Sequence, residues 1–193
     1  MKKHLGMTLI ESIVAMVLIA VAMVTLTSLL FPNVKNSAAP HYQTRAIALG
    51  QGFMSQILAR GFDHNSNFDG GGSRCGENGS SCTAAGSLGA EEIQVAEYND
   101  VDDYIGCWYT ANTQSQCPIG AIQKSLADVF GSTIDSEYPN FRVEVNVFYD
   151  ADMDYADMDG VDDGTIRSLK RIEMQIYAGQ YGPYPLVAYK GNY

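Results

Sequence analysis

Residues 4–31 read HLGMTLIESIVAMVLIAVAMVTLTSLLF. Every residue from Ile13 to Val24 is apolar, and only Thr25, Thr27 and Ser28 interrupt the run before Phe31. A helix from Thr8 to Phe31 spans about 36 Å at about 1.5 Å per residue, enough to cross a hydrocarbon core of about 30 Å. Lys2 and Lys3 precede it and favour a cytoplasmic start, which sends the rest of the chain across the membrane. A cleaved secretory signal has a shorter apolar core and a small-x-small cleavage site; FPNVKNSAAP, residues 31–40, makes a poor one. A plain anchor leaves Glu11 unexplained. A carboxylate at the edge of hydrocarbon is costly unless partnered, and the natural partner is a positive charge on another chain.

The 193 residues suit one domain with an appendage, and 46% hydrophobic content supports a core. The net charge of −10, without a basic stripe, argues against nucleic acid as a partner. Cys75, Cys82, Cys107 and Cys117 lack the CxxC spacing of zinc or redox sites. In an exported chain an even number of cysteines points to disulfides. Three connectivities are open, and free buried cysteines are the alternative. The local pairs Cys75–Cys82 and Cys107–Cys117 close the shortest loops and are the expected ones.

Gly6-Met7-Thr8-Leu9-Ile10-Glu11, behind a short basic leader, resembles the class III signal of type IV pilins and pseudopilins. The resemblance implies cleavage between Gly6 and Met7 by a membrane-embedded prepilin peptidase, and methylation of the new Met7 amine by the same enzyme. The family usually has Phe at that first mature position; Met7 departs from it but keeps the apolar character. Cleavage would remove Lys2 and Lys3 and take the net charge from −10 to −12. Glu11 would then pair with the Met7 amine of a neighbouring subunit. Such a pair is favourable only in register, because a misplaced subunit leaves a bare charge in a low dielectric. The implied partners are the peptidase, other pilin subunits, the inner-membrane assembly platform and the membrane itself. The implied location is the inner membrane, with a periplasmic head, before assembly and the pilus surface after it.

The organisation expected is a leader over 1–6, a transmembrane or filament-core helix over 7–31 and a head over 32–193. Pro32 and Pro40 should bend or break the helix. A second helical stretch over 41–60 carries Ala46, Leu49, Phe53 and Ile57 at helical spacing, with Gly61 as its C-cap. Residues 28–63, SLLFPNVKNSAAPHYQTRAIALGQGFMSQILARGFD, are similar to minor pilins of the mannose-sensitive haemagglutinin (MSHA) pilus system, a similarity that extends over about the first 65 residues.

Residues 63–90 read as a long Gly- and Ser-rich loop, limited by the first disulfide. Ile93 and Val95 suggest a strand, Tyr104 to Thr110 a short aromatic strand, and Ile119 to Phe130 a small helix with Ile122, Leu126 and Phe130 on one face. Phe141 to Tyr149 and Ile172 to Tyr177 alternate clearly and should pair antiparallel. The fold class is α+β: a long N-terminal helix, half transmembrane and half amphipathic, packed on an antiparallel sheet.

Residues 150–164, DADMDYADMDGVDDG, hold seven aspartates and no Lys or Arg. Asp150, Asp152, Asp154, Asp157 and Asp159 could converge on calcium, which takes six to eight oxygens, although the spacing is not an EF-hand. A solvated acidic turn is the other reading. Tyr177, Tyr181, Tyr184, Tyr189 and Tyr193 suit packing and edge cover, or an adhesive surface. His4, His41 and His64 form no metal spacing, and no HExxH, GxSxG or Walker pattern occurs, so a structural subunit is expected rather than an enzyme. A type II secretion pseudopilin is the alternative within the class.

Overall fold

The computed structural model describes residues 8–67, 73–128, 130–150 and 166–193, with the backbone alone at 30–37. One helix, α1, runs over Leu9–Leu58. Five strands follow: β1 (Gly106–Tyr109), β2 (Gln123–Ser125), β3 (Phe141–Asp150), β4 (Leu169–Ala178) and β5 (Tyr181–Gly191). The chain divides into two bodies, Met1–Tyr42 and Gln43–Tyr193, and α1 contributes to both.

In the first body α1 carries an apolar segment over Leu9–Leu29, of mean hydropathy 2.5 and with none of it buried. It is long and apolar enough to cross a membrane. The expected break at Pro32 and Pro40 does not occur, and 41–60 is not a separate helix; α1 continues through both prolines. Proline's fixed φ is itself helical. What it removes is one hydrogen-bond donor, and a long helix accommodates that loss without ending.

In the second body Ala46, Leu49, Phe53, Met54 and Ile57 are buried, as the stripe predicts. Phe53 meets the Trp108 and Tyr104 rings edge-on, at centroid distances of 5.0 and 5.7 Å. Gly50 lets the helix approach β4 and β5: a Cβ there would lie 2.7 Å from Ile176 Cδ1 and 2.6 Å from Leu186 Cδ1. The sheet order is β2-β1-β3-β4-β5, antiparallel throughout except for the parallel pair β1–β2. The β3–β4 register sets Val143 opposite Ile176, Val145 opposite Met174 and Val147 opposite Ile172. All six are buried, because period-two alternation directs them to one face. This is the α+β arrangement expected, an N-terminal helix followed by a mostly antiparallel sheet of pilin-like kind.

Three local expectations are corrected. Residues 119–130 hold no helix among those described; β2 lies there and pairs with β1, with Cys107 N–H donating to the Ile122 carbonyl at 2.7 Å. Leu126 is buried, but Ile119 and Phe130 are exposed, so the supposed helical face does not exist. Ile93 is exposed, and Val95 begins a 3-10 turn over Val95–Glu97 rather than lying in a strand. Gly61 is no left-handed C-cap: its amide donates to the Asn99 carbonyl at 2.8 Å, and it bridges in parallel to Asp100. The strand β5 was hidden by Pro183 and Pro185, which are tolerated at a sheet edge.

Candidate functional site

Thr8 opens α1: its Oγ1 accepts the Glu11 amide at 3.4 Å, and its carbonyl takes the Ser12 amide at 3.2 Å. Glu11 therefore sits exposed in the first turn, where a carboxylate complements the positive end of the helix dipole. Around it Leu9, Ile10 and Met16 are exposed by 79%, 66% and 71%. The three hydroxyls near the far end turn back on their own helix. Thr25 Oγ1 donates to the Ala22 carbonyl at 2.9 Å, Thr27 Oγ1 to Met23 at 2.7 Å and Ser28 Oγ to Thr25 at 2.8 Å. Within Leu9–Leu29, Glu11 is the one ionisable residue in the sequence. Gly6 and Met7, the expected cleavage and methylation positions, lie outside the described residues.

Both disulfides join the local pairs, Cys75–Cys82 and Cys107–Cys117. The first packs with Phe62 and Tyr149 in a small buried cluster and ties the 63–90 loop to the head. The second tethers β1 to the turn that leads into β2.

The polar centre of the head is Lys170, whose side chain is fully buried. Its Nζ donates to Asp102 Oδ1 at 2.5 Å, to the Phe62 carbonyl at 2.7 Å and to Asp63 Oδ2 at 3.2 Å. Both carboxylates are likewise fully buried. Asp63 also accepts the amides of Thr83 and Asn65 at 2.9 and 3.1 Å and the Tyr149 hydroxyl at 3.3 Å. Burial pushes the Asp63 carboxyl up, but the Lys170 charge and these donors outweigh it and hold the group below its ordinary value. This cluster fastens β4 to the loop after α1 and to the 3-10 turn at Asp102–Tyr104.

Sequence reading missed Lys170, Asp63 and Asp102. The signal was present, since Lys170 extends backwards the alternation of Ile172, Met174 and Ile176 and so falls on the inward face.

Beside this centre the segment from Glu91 to Asp103 is densely acidic. Burial, then the neighbouring Asp102 charge, raises the Asp100 carboxyl to about 9. Burial also raises the Glu91 carboxyl; burial first, and then the Asp103 carboxylate beside it, raises Glu92. His64 Nδ1 lies 3.4 Å from Glu92 Oε1. Of the expected calcium ligands, Asp150 ends β3 opposite Leu169, with its Oδ2 4.0 Å from Arg171 Nη1. Asp152, Asp154, Asp157 and Asp159 lie outside the described residues. The tail tyrosines Tyr181, Tyr184 and Tyr189 lie along the edge strand β5.

Residues 1–27 match the family model described as the prokaryotic N-terminal methylation motif. No curated protein and no solved structure matches the chain. Glu11 and the first part of the apolar helix fall inside the matched residues. Together, the motif and a helix long and apolar enough to cross a membrane constitute a class III prepilin signal of the type IV pilin kind.

Proposed function

We propose that this chain is a minor subunit of a type IV pilus of the MSHA kind, resembling its minor pilin D. The observation that carries the reading is the methylation motif over residues 1–27 joined to an apolar helix with no buried segment in its own chain. Prepilin peptidase would cut between Gly6 and Met7 and methylate Met7, leaving Glu11 as the fifth mature residue. The subunit would wait in the inner membrane with residues 32–193 in the periplasm, then pass through the assembly platform into the filament. Its role is structural rather than catalytic, in pilus assembly and adhesion. Glu11 would pair with the Met7 amine of a neighbour and so set register.

Mass spectrometry of the chain co-expressed with a prepilin peptidase tests the core of this reading. The expected product starts at Met7 and carries one added methyl group. A chain that stays intact, or is cut elsewhere, overturns it. The same signal would serve a minor pseudopilin of type II secretion. Electron microscopy and a secretion assay on a deletion strain separate the two: loss of pili supports the first reading and loss of secreted protein the second. The acidic turn from Asp150 to Asp159 remains a candidate calcium loop that would make an adhesive head calcium-dependent.

A further inference from the structure

Asp100 and Asp103 are fully buried. Each commits one oxygen to the backbone. Asp100 Oδ1 accepts the amides of Asp102 and Asp103 at 3.1 and 3.3 Å, and Asp103 Oδ2 accepts those of Asn99 and Asp100 at 2.8 and 3.1 Å. The other oxygens, Asp100 Oδ2 and Asp103 Oδ1, are buried with no hydrogen-bond donor among the described residues. Carboxylate oxygens of Glu91, Asp100 and Asp103 lie within 4.8 Å of one another. Asn99 Nδ2 donates to Glu92 Oε1, and this pair leaves two further buried oxygens without donors, Asn99 Oδ1 and Glu92 Oε2. Buried polar atoms are normally satisfied, so four orphaned oxygens in one short segment ask for a common partner.

The nearby cations are engaged elsewhere. Lys170 directs its hydrogens to Phe62, Asp63 and Asp102. Lys124 Nζ donates to the backbone carbonyl of Asp103 at 2.6 Å and stands 4.5 Å over the Tyr98 ring. The orphaned atoms are all oxygen, carboxyl and amide, which selects a hard cation able to displace the Asp100 proton; the His64 imidazole stands at the rim, with Nδ1 3.4 Å from Glu92 Oε1. Calcium takes six to eight oxygens at about 2.3–2.6 Å and tolerates irregular geometry. Glu91 is exposed, which gives a path for entry and room for water to complete the shell.

We propose that Glu91, Asp100 and Asp103, supported by Asn99 and Glu92, bind a calcium ion that fixes the 91–103 loop against the turn after α1. That loop is already joined to the turn by the Gly61 amide on the Asn99 carbonyl. The site is separate from the Asp150–Asp159 turn and does not depend on the filament reading.

The test uses the full chain in detergent, stripped with chelator and titrated with calcium chloride by calorimetry and melting. Terbium serves as a second probe, since the Tyr98 ring close to Asp103 can sensitise its emission. A variant with Asp152, Asp154, Asp157 and Asp159 all changed to Asn should keep one calcium, a melting shift and calcium-displaceable terbium emission. Adding Glu91→Gln should weaken that binding by about tenfold or more, because affinity follows the number of charged ligands. Glu91 is exposed, so its calcium-free melting temperature should not move. Asp103→Asn should abolish the binding. Absence of calcium binding in the four-Asn variant overturns the proposal, as does binding there that Glu91→Gln leaves unchanged.

Discussion

Replacing Lys170 with Met removes the one ammonium shared by Asp63 and Asp102 while filling most of its space. The two carboxylates do not suffer equally. Asp63 keeps two backbone amides and the Tyr149 hydroxyl. Among the described residues Asp102 keeps the Gly89 amide, at 3.2 Å on Oδ2, but no cation, and its Oδ1 loses a 2.5 Å partner. The Phe62 carbonyl loses its donor as well. Breaking a buried ion pair by removing one partner costs about 3–5 kcal/mol, mostly from the charge left behind. For a body the size of Gln43–Tyr193, where each kcal/mol moves the melting temperature by about 2–4 °C, Lys170→Met should lower Tm by roughly 6–20 °C. The chain's one tryptophan, Trp108, is fully buried in this body, so its fluorescence follows unfolding of the head without interference from the apolar helix. If an unpaired charge is the cause, Lys170→Met/Asp102→Asn should be more stable than Lys170→Met alone. A loss below about 1 kcal/mol for the single variant, or no recovery in the double one, would refute the reasoning.

The same cluster sets a pH dependence. Asp63 is held below its ordinary value, so it contributes stability above the unfolded value of about 4 and loses it as pH falls through the lower folded value. Melting temperatures should therefore drop on acidification below about pH 4, and Asp63→Asn should flatten that limb while lowering stability at neutral pH. Gly106 has φ +138°, and a Cβ there would lie 2.5 Å from the Ile122 carbonyl oxygen, so Gly106→Ala should cost roughly 1–3 kcal/mol in the same melting assay and loosen β2 from β1. Glu11→Val should leave the head's melting unchanged but reduce incorporation into filaments, measured by immunoblot of sheared pili; unchanged incorporation would remove Glu11 from assembly.

The parts of the fold legible in the sequence were those with long, regular periodicity. The stripe from Ala46 to Ile57 and the alternation in β3 and β4 each repeat over several residues, so no competing pattern fits them. Short segments failed for the opposite reason. Ile122 and Leu126 are four apart, which satisfies a helix, and the three-residue strand β2 between them has too few positions to show period two. β5 carries prolines that argue against a strand until its place at the sheet edge is known. The N-terminal signal was legible because its residues, Gly6 to Glu11, stand consecutively between a basic leader and a long apolar run. The acidic site at Glu91–Asp103 was not, since its unsatisfied oxygens arise from which carboxylate atoms the backbone occupies, and no linear pattern records that. The more conspicuous aspartates of 150–164 drew the reading away from it.

The inward-turned hydroxyls of Thr25, Thr27 and Ser28 bear on how this helix chooses its company. A helix that passes from lipid into a bundle of similar helices exchanges one oily medium for another, so water-driven attraction contributes almost nothing to the transfer. What discriminates one neighbour from another is then close steric fit and whatever polarity is left to share. Because each hydroxyl gives its one proton to its own helix, it has no donor left for a passing helix, and promiscuous pairing through donated hydrogen bonds is suppressed. On the proposed assembly, Glu11 would then be the one charged group by which this stretch tells one neighbour from another, a lock with one pin.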